Sequence, residues 1–347
     1  MNDFLDNQIR NVLNKEEKIP ESVMKKINIS NDIIREKGRK SKAKTANFRK
    51  RYVMIASVII LIVGISSYKP VFAAVRQFLF GINDKGLQSA VDHNYMQRLA
   101  NVSTEADSLK IEATNIVIDP SKLGIILKLN FRDTSVLKNV DNVWLDLTIR
   151  DERGNIIYKD GSGVDIISGY SGKADLNKKD SGEVINSIIL DSRKAKIPET
   201  SSLSLEINDI ILYENSQAPK KLTGNWALNI PLEEVFANRK TIKYSPINDN
   251  KKLEVISAEA FPTGFLVKFT VENNKNDENI VNRAKLVDKT GKEYGISIGA
   301  DMENLPGNKD LITATFDATS FDDLKDLKLK IQTLDGKDEF VTLKREK

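Results

Sequence analysis

The feature that most constrains this chain is an uncharged apolar run, Tyr52–Tyr68 (YVMIASVIILIVGISSY), preceded by a dense basic collar. About 17 residues without a charge meet the lower limit for a membrane-spanning helix. At ~1.5 Å per residue the run reaches roughly 25 Å, and Val71–Val75 extends it beyond the interruption at Lys69 and Pro70. A buried core helix of this length usually carries a polar face, and this run has none. The expectation is one transmembrane helix at residues 52–68, reaching 75 if the extension takes part.

The collar sets the direction. Arg49, Lys50 and Arg51 close a cluster that begins at Arg35 and holds one acid, Glu36. Basic residues beside a span stay cytoplasmic, so residues 1–51 are expected inside and everything after the span outside. Residues 1–51 carry 14 Lys and Arg against 7 Asp and Glu, a net of +7, leaving −3 for the rest of a chain whose total is +4. The collar read alone also fits a nucleic-acid-binding tail. Its position against an apolar span makes topology and contact with the anionic head groups of the bilayer the simpler account, with no direct nucleic-acid binding. No cysteine is present, which excludes disulfides, thiolate nucleophiles and Cys-ligated zinc.

Residues 1–34 read as short helices. Phe4, Leu5, Ile9, Val12 and Leu13 fall on one helical face, and Val23 and Ile27 follow four apart after Pro20. So short a segment cannot bury a core of its own. Its stripe needs a partner, and an amphipathic helix laid in a groove of another protein is the expected use. A disordered or lipid-lying tail is the alternative.

Past the span, Val71-Phe72-Ala73 followed by Ala74 puts small residues at the −3 and −1 positions of a signal-peptidase site; they equally serve to continue the helix. Helical spacing is expected from Val71 to about Leu99, broken at Gly81 and resuming with Leu87, Ala90 and Val91 before Tyr95 and Leu99. The period then changes to two. Leu109–Asp119 and Leu123–Phe131 alternate around a turn at Asp119-Pro120-Ser121; Val143–Tyr158 reads as strand, turn at Asp151–Asn155, strand; Ser181–Ser192, Ser202–Glu214 and Gly224–Leu232 supply more. The last third repeats the plan. Leu253–Asn273 parallels the Leu109–Phe131 hairpin with its own Pro turn, and Ala284–Gly295 parallels the acidic-then-Gly hairpin. Leu311–Thr319, Leu327–Leu334 and Glu339–Lys344 close the chain. The fold class expected is mainly β: short cytoplasmic helices, one transmembrane helix, and two extracellular antiparallel β-sandwich modules at 69–236 and 237–347, with a boundary near Ala237–Tyr244.

No catalytic constellation emerges, and no cofactor or metal is expected. The lone His93 makes neither a triad nor a zinc site, and is expected at the surface. Asp151-Glu152, Asp165, Asp322-Asp323 and Asp326 lack the EF-hand spacing and read as solvated turns and helix starts. Gly161-Ser162-Gly163 with Gly169 reads as a flexible loop without the phosphate-binding pattern. Gly154 and Gly291 are the positive-φ positions of hairpins. Trp144 and Trp226 are expected in the sandwich core.

Lys69–Phe131, with its Pro-aromatic-Ala exit at Pro70-Val71-Phe72-Ala73, its Lys85-Gly86-Leu87 helix and the later Gly224–Pro231 strand, resembles a domain of unknown function. That domain belongs to single-pass Gram-positive membrane proteins described as anti-sigma-factor-like, and the C-terminal module resembles the immunoglobulin-like domain that often follows it. The resemblance implies an inner segment that holds an extracytoplasmic-function sigma factor of RNA polymerase and an outer part that meets an envelope ligand or protein. Residues 1–34 lack the His…Cys-x-x-Cys pattern of the zinc-containing anti-sigma subclass. An envelope adhesion or structural protein, anchored by the same helix, is the alternative function class.

Overall fold

The computed structural model describes residues 84–346, apart from 162–166, 193–194, 216–217, 237–240, 250–251, 273–279, 323 and 334–335. The stripe of Phe4 to Ile27, the collar, the run Tyr52–Tyr68 and the Val71/Ala73/Ala74 site lie outside the described residues. Among the described residues, no helix is long and apolar enough to cross a membrane. These residues belong to one compact unit of the chain, Lys69–Lys347.

Helix α1 (Lys85–Asp92) opens the described chain. Asp84 is its N-cap, accepting the Leu87 N–H at 2.8 Å, and Gly86, Leu87, Ala90 and Val91 form its buried stripe. The helical period expected as far as Leu99 stops at Asp92. Asn94 takes a left-handed φ of 59°, the Tyr95 N–H turns back to the Ala90 carbonyl, and Tyr95 and Leu99 are buried off the helix.

Ten strands follow: β1 (Gln97–Arg98), β2 (Ser103–Ala106), β3 (Leu109–Ile118), β4 (Lys122–Phe131), β5 (Val140–Asp151), β6 (Ile156–Lys159), β7 (Ile167–Asp175), β8 (Glu183–Ser192), β9 (Ser202–Glu214) and β10 (Lys220–Pro231). One sheet runs β1-β3-β4-β8-β7, with β2 also on β3; the other runs β10-β9-β5-β6; every pairing is antiparallel. Both sheets supply one core, from Leu87 through Ile116, Leu147, Ile189 and Ile207 to Phe236. Strand β7 corrects the reading of Gly169 as loop. Its sequence, ISGYSGKAD, has little strand propensity, and the strand is held by pairing along β8.

The second module comprises β11 (Ile242–Ile247), β12 (Leu253–Phe261), β13 (Gly264–Glu272), helix α2 (Ile280–Arg283), β14 (Ala284–Asp288), β15 (Glu293–Tyr294), β16 (Ile296–Leu305), β17 (Lys309–Phe316), β18 (Asp326–Gln332) and β19 (Asp338–Arg345). Its hydrogen bonding runs unbroken through nine strands, β15-β14-β18-β19-β11-β12-β13-β17-β16, because β11 pairs with β12 at one end and β19 at the other. The strands enclose a separate core that includes Val255, Phe269, Leu286, Ile312 and Val341.

The repeated hairpin is visible atom by atom. In the β5–β6 turn, Gly154 N–H donates to Asp151 O at 3.0 Å and Asp151 N–H to Asn155 O at 3.0 Å; in the β14–β15 turn, Gly291 N–H donates to Asp288 O at 3.0 Å and Asp288 N–H to Lys292 O at 3.1 Å. The Asp carboxylate takes two further backbone N–H groups in each turn. Gly154 and Gly291 have φ of 83° and 86°, the left-handed geometry the turn requires. Burial pushes the Asp151 carboxyl up, and donation from the Asn155 side chain and from the Asn155 and Arg153 N–H groups outweighs it and holds the carboxyl below the usual aspartate range; at Asp288 the Thr290 hydroxyl leads the same lowering, against burial and with the Thr290 and Lys292 N–H groups.

Candidate functional site: a buried ionic joint

The two proline turns of the repeat meet each other. Asp119 Oδ1, in the β3–β4 turn, accepts from Ser121 N (2.8 Å), Ser121 Oγ (2.8 Å) and Lys122 N (3.1 Å), while Oδ2 accepts Thr263 N at 2.7 Å from the β12–β13 turn. The Ser121 hydroxyl spends its proton on Asp119, so the 3.0 Å contact between the two hydroxyls is Thr263 donating to Ser121. Asp119, Ser121 and Thr263 are fully buried, and each joins one module to the other.

Beside this clasp lies Lys122, the first residue of β4, which is completely buried. Its Nζ donates to Asp84 Oδ2 at 2.6 Å and to Ser297 Oγ at 2.7 Å, and the Ser297 hydroxyl donates to Asp84 Oδ2 at 2.8 Å. Asp84 thus caps helix α1 with one oxygen and closes a three-way contact among α1, β4 and β16 with the other. Burial alone would lower the Lys122 ammonium; Asp84, Asp191 and Asp317 more than reverse that and hold it above the ordinary lysine range. Asp317, which also pairs with Lys85 at 3.6 Å, is pushed up by burial, with Lys122 working the other way.

Gly86 explains why the first turn of α1 can dock here. A Cβ at that position would lie 1.8 Å from the Thr263 carbonyl oxygen, so only a bare backbone fits. Further along, Ser89 Oγ meets Thr319 Oγ1 at 3.3 Å, with the Thr319 hydroxyl itself donated to Asp322. His93 is exposed, as expected, and also lies flat on Phe321, ring centroids 4.2 Å apart. Phe321 reaches across to pack on the first core and meets Tyr95 edge-on at 6.4 Å.

A lysine ammonium 2.7 Å from a serine hydroxyl invites comparison with Ser–Lys nucleophile pairs. The surrounding acids argue against that chemistry here, because Asp84, Asp191 and Asp317 hold Lys122 above the ordinary lysine range and so as the ammonium. Ser297 accepts from Lys122 and gives its proton to Asp84, whereas an activating lysine must be neutral and accept from the serine. The arrangement holds elements together and offers no base.

The other residues marked in the sequence scatter. Asp151 and Asp322 are turn acceptors, Asp326 starts β18, and Asp165 and Asp323 lie outside the described residues. No group of three or more metal-ligating side chains occurs among the described residues. The tryptophans divide. Trp226 is core, 1% exposed, donating to Ala106 O. Trp144, expected in the core, is half-buried on the opposite face of β5 from Val143, Leu145 and Leu147, because it falls on the other phase of the strand.

No protein-family model and no curated protein matches the chain. Among solved structures, it is similar to a chain described as the conserved domain protein from Bacillus anthracis, at 13% identity over 73% of this chain and 90% of that one, with a TM-score of 0.42. That likeness carries no argument about activity.

Proposed function

We propose that this is a single-pass membrane regulator whose inner helices hold an RNA polymerase sigma factor and whose outer β modules, the second immunoglobulin-like, meet the cell envelope. The observation that carries the proposal is the uncharged run Tyr52–Tyr68 behind the collar ending at Arg49, Lys50 and Arg51. An inner segment with one apolar stripe and too few residues for a core then needs a cytoplasmic partner. The similarity of Lys69–Phe131 to anti-sigma-factor-like proteins supplies the identity of that partner. The protein is read as a non-enzyme because no catalytic constellation emerges from its sequence. In the second reading, an anchored envelope-binding protein, residues 1–34 are dispensable; the half-buried Trp144 on a sheet face favours it.

The test is co-purification of the tagged full-length protein from detergent-solubilised membranes of its native cell. The wild type retains a sigma factor, and the Ile9→Asp/Val12→Asp variant loses it. Equal retention by the variant, or no sigma factor with either, overturns the anti-sigma reading.

A further inference from the structure

The seam between β5 and β7 carries a set of side chains that neither the joint nor the proposed cytoplasmic partner uses. Trp144 and Tyr170 lie ring to ring, 4.1 Å between centroids and tilted by 41°, and Tyr158 stacks on Tyr170 at 6.0 Å. Asp160 fixes the group: its Oδ2 accepts the Trp144 indole N–H at 3.0 Å and its Oδ1 the Tyr158 hydroxyl at 3.4 Å. A Cβ on Gly172 would stand 2.7 Å from the Tyr170 hydroxyl, so the ring lies along β7 over a bare backbone. Diagonally from Trp144, through the register that pairs it with Ile211 and pairs Asn142 with Tyr213, the Tyr213 ring is 38% exposed.

The same seam opens at its end into a cleft of about 610 Å3 lined by Asn139, Val140, Asp141, Leu176, Lys179 and Asn215. Lys179 is tied to the backbone carbonyls of Lys138 and Val140. From Val140 to Asp146, β5 covers about 20 Å at ~3.3 Å per residue. Along it the polar groups are carboxylates, carboxamides and one ammonium: Asp141, Asn139, Asn215 and Lys179 at the cleft, Asp160 and Asp146 by the rings. Asp146 stands directly opposite Asp209 across the strands, and the Asp209 carboxylate is engaged by Lys221 at 2.7 Å and Thr223 at 2.8 Å. Burial, then Asp160 and Asp209, push the Asp146 carboxyl above its ordinary range.

We propose that the β5–β7 seam binds a neutral polysaccharide of pyranose rings. The half-buried Trp144, backed by Tyr170 and the buried Tyr158, and the exposed Tyr213 offer aromatic surface to the C–H face of such rings, and adjacent carboxylates and carboxamides accept and donate to their hydroxyls, the apolar-wall, few-polar-group pattern of carbohydrate-sized sites. This deepens the envelope-binding half of the proposed function and rests on the outward placement of these modules, not on the sigma factor.

The test is a titration of the full-length protein in detergent micelles with chitohexaose, read by tryptophan emission. Trp226 is buried in the core, so the response reports Trp144. The proposal expects a saturable emission change, retained by Trp144→Phe when binding is read by calorimetry, and weakened at least about tenfold by Trp144→Ala and by exposed Tyr213→Ala. No saturable binding at millimolar sugar, equal affinity in both alanine variants, or a response instead to a proline-rich peptide overturns it. Sigma-factor retention by the same preparation, with no sugar response, separates failure here from failure of the regulatory reading.

Discussion

Asp84 and Asp146 are both acids beside other charges in one β-rich unit, yet their surroundings are opposite. Asp84 is 4% exposed, and its carboxylate is matched by a buried ammonium, a hydroxyl and a helix N-terminus. Asp146 keeps contact with water and faces a second carboxylate across the strand. Charges removed from water persist only when paired and hydrogen-bonded. Like charges persist where solvent screens them, and there they cost little. The first cluster therefore fixes geometry, and the second lies on the seam proposed to take a ligand.

The largest expected effect comes from breaking the buried cluster on one side. Lys122→Met leaves Asp84 buried without its cation and is expected to lower stability by about 3–5 kcal/mol in denaturant unfolding. Gly86→Ala tests the close approach of α1 to the second module. The methyl group would press on the Thr263 carbonyl, a backbone atom that cannot swing aside, for a loss of about 1–3 kcal/mol. An unchanged midpoint in that variant would mean the helix docks less closely than the geometry shows.

The smallest effect has the opposite sign. A carboxyl whose folded pKa lies above its unfolded value adds stability below the ordinary aspartate pKa of about 3.9 and loses that contribution as pH rises through the folded value. At pH 7 the Asp146 carboxylate is thus a liability, discounted by its solvent contact. Asp146→Asn is expected to raise stability at pH 7 by about 0.5 kcal/mol or less, with the gain vanishing below the ordinary aspartate range. A stability gain that persists unchanged at low pH would remove like-charge repulsion as its cause.

How much of this was legible in the sequence depends on the range of the interactions. The turns at Asp151–Gly154 and Asp288–Gly291 are local, built from an acid, a glycine and their own backbone, and they read correctly. The strand pairs flanking each proline turn read correctly because their period is two over many residues. Strand β7 did not, since its glycines signal loop and only β8 makes it a strand. Helix α1 was placed but overrun, because Tyr95 and Leu99 keep helical spacing although Asn94 reverses the chain. The joint was hidden: Lys122 looks like any polar strand start, and its partners are 38 and 175 residues away. The repeat of the proline turns was the available signal, and the meeting of the two turns was the step it lacked. Trp144 was assigned to the core by residue type, when its phase relative to Val143 and Leu145 placed it outside.

The central claim, that the buried charges of the joint persist only because each satisfies the other, is tested most directly by a double-mutant cycle on Asp84 and Lys122 in the full-length protein. Lys122→Met and Asp84→Asn are each expected to destabilise strongly. Together they should cost well under the sum of the two, because neither then leaves a buried charge behind. Additive losses, or two small ones, would contradict the joint as described.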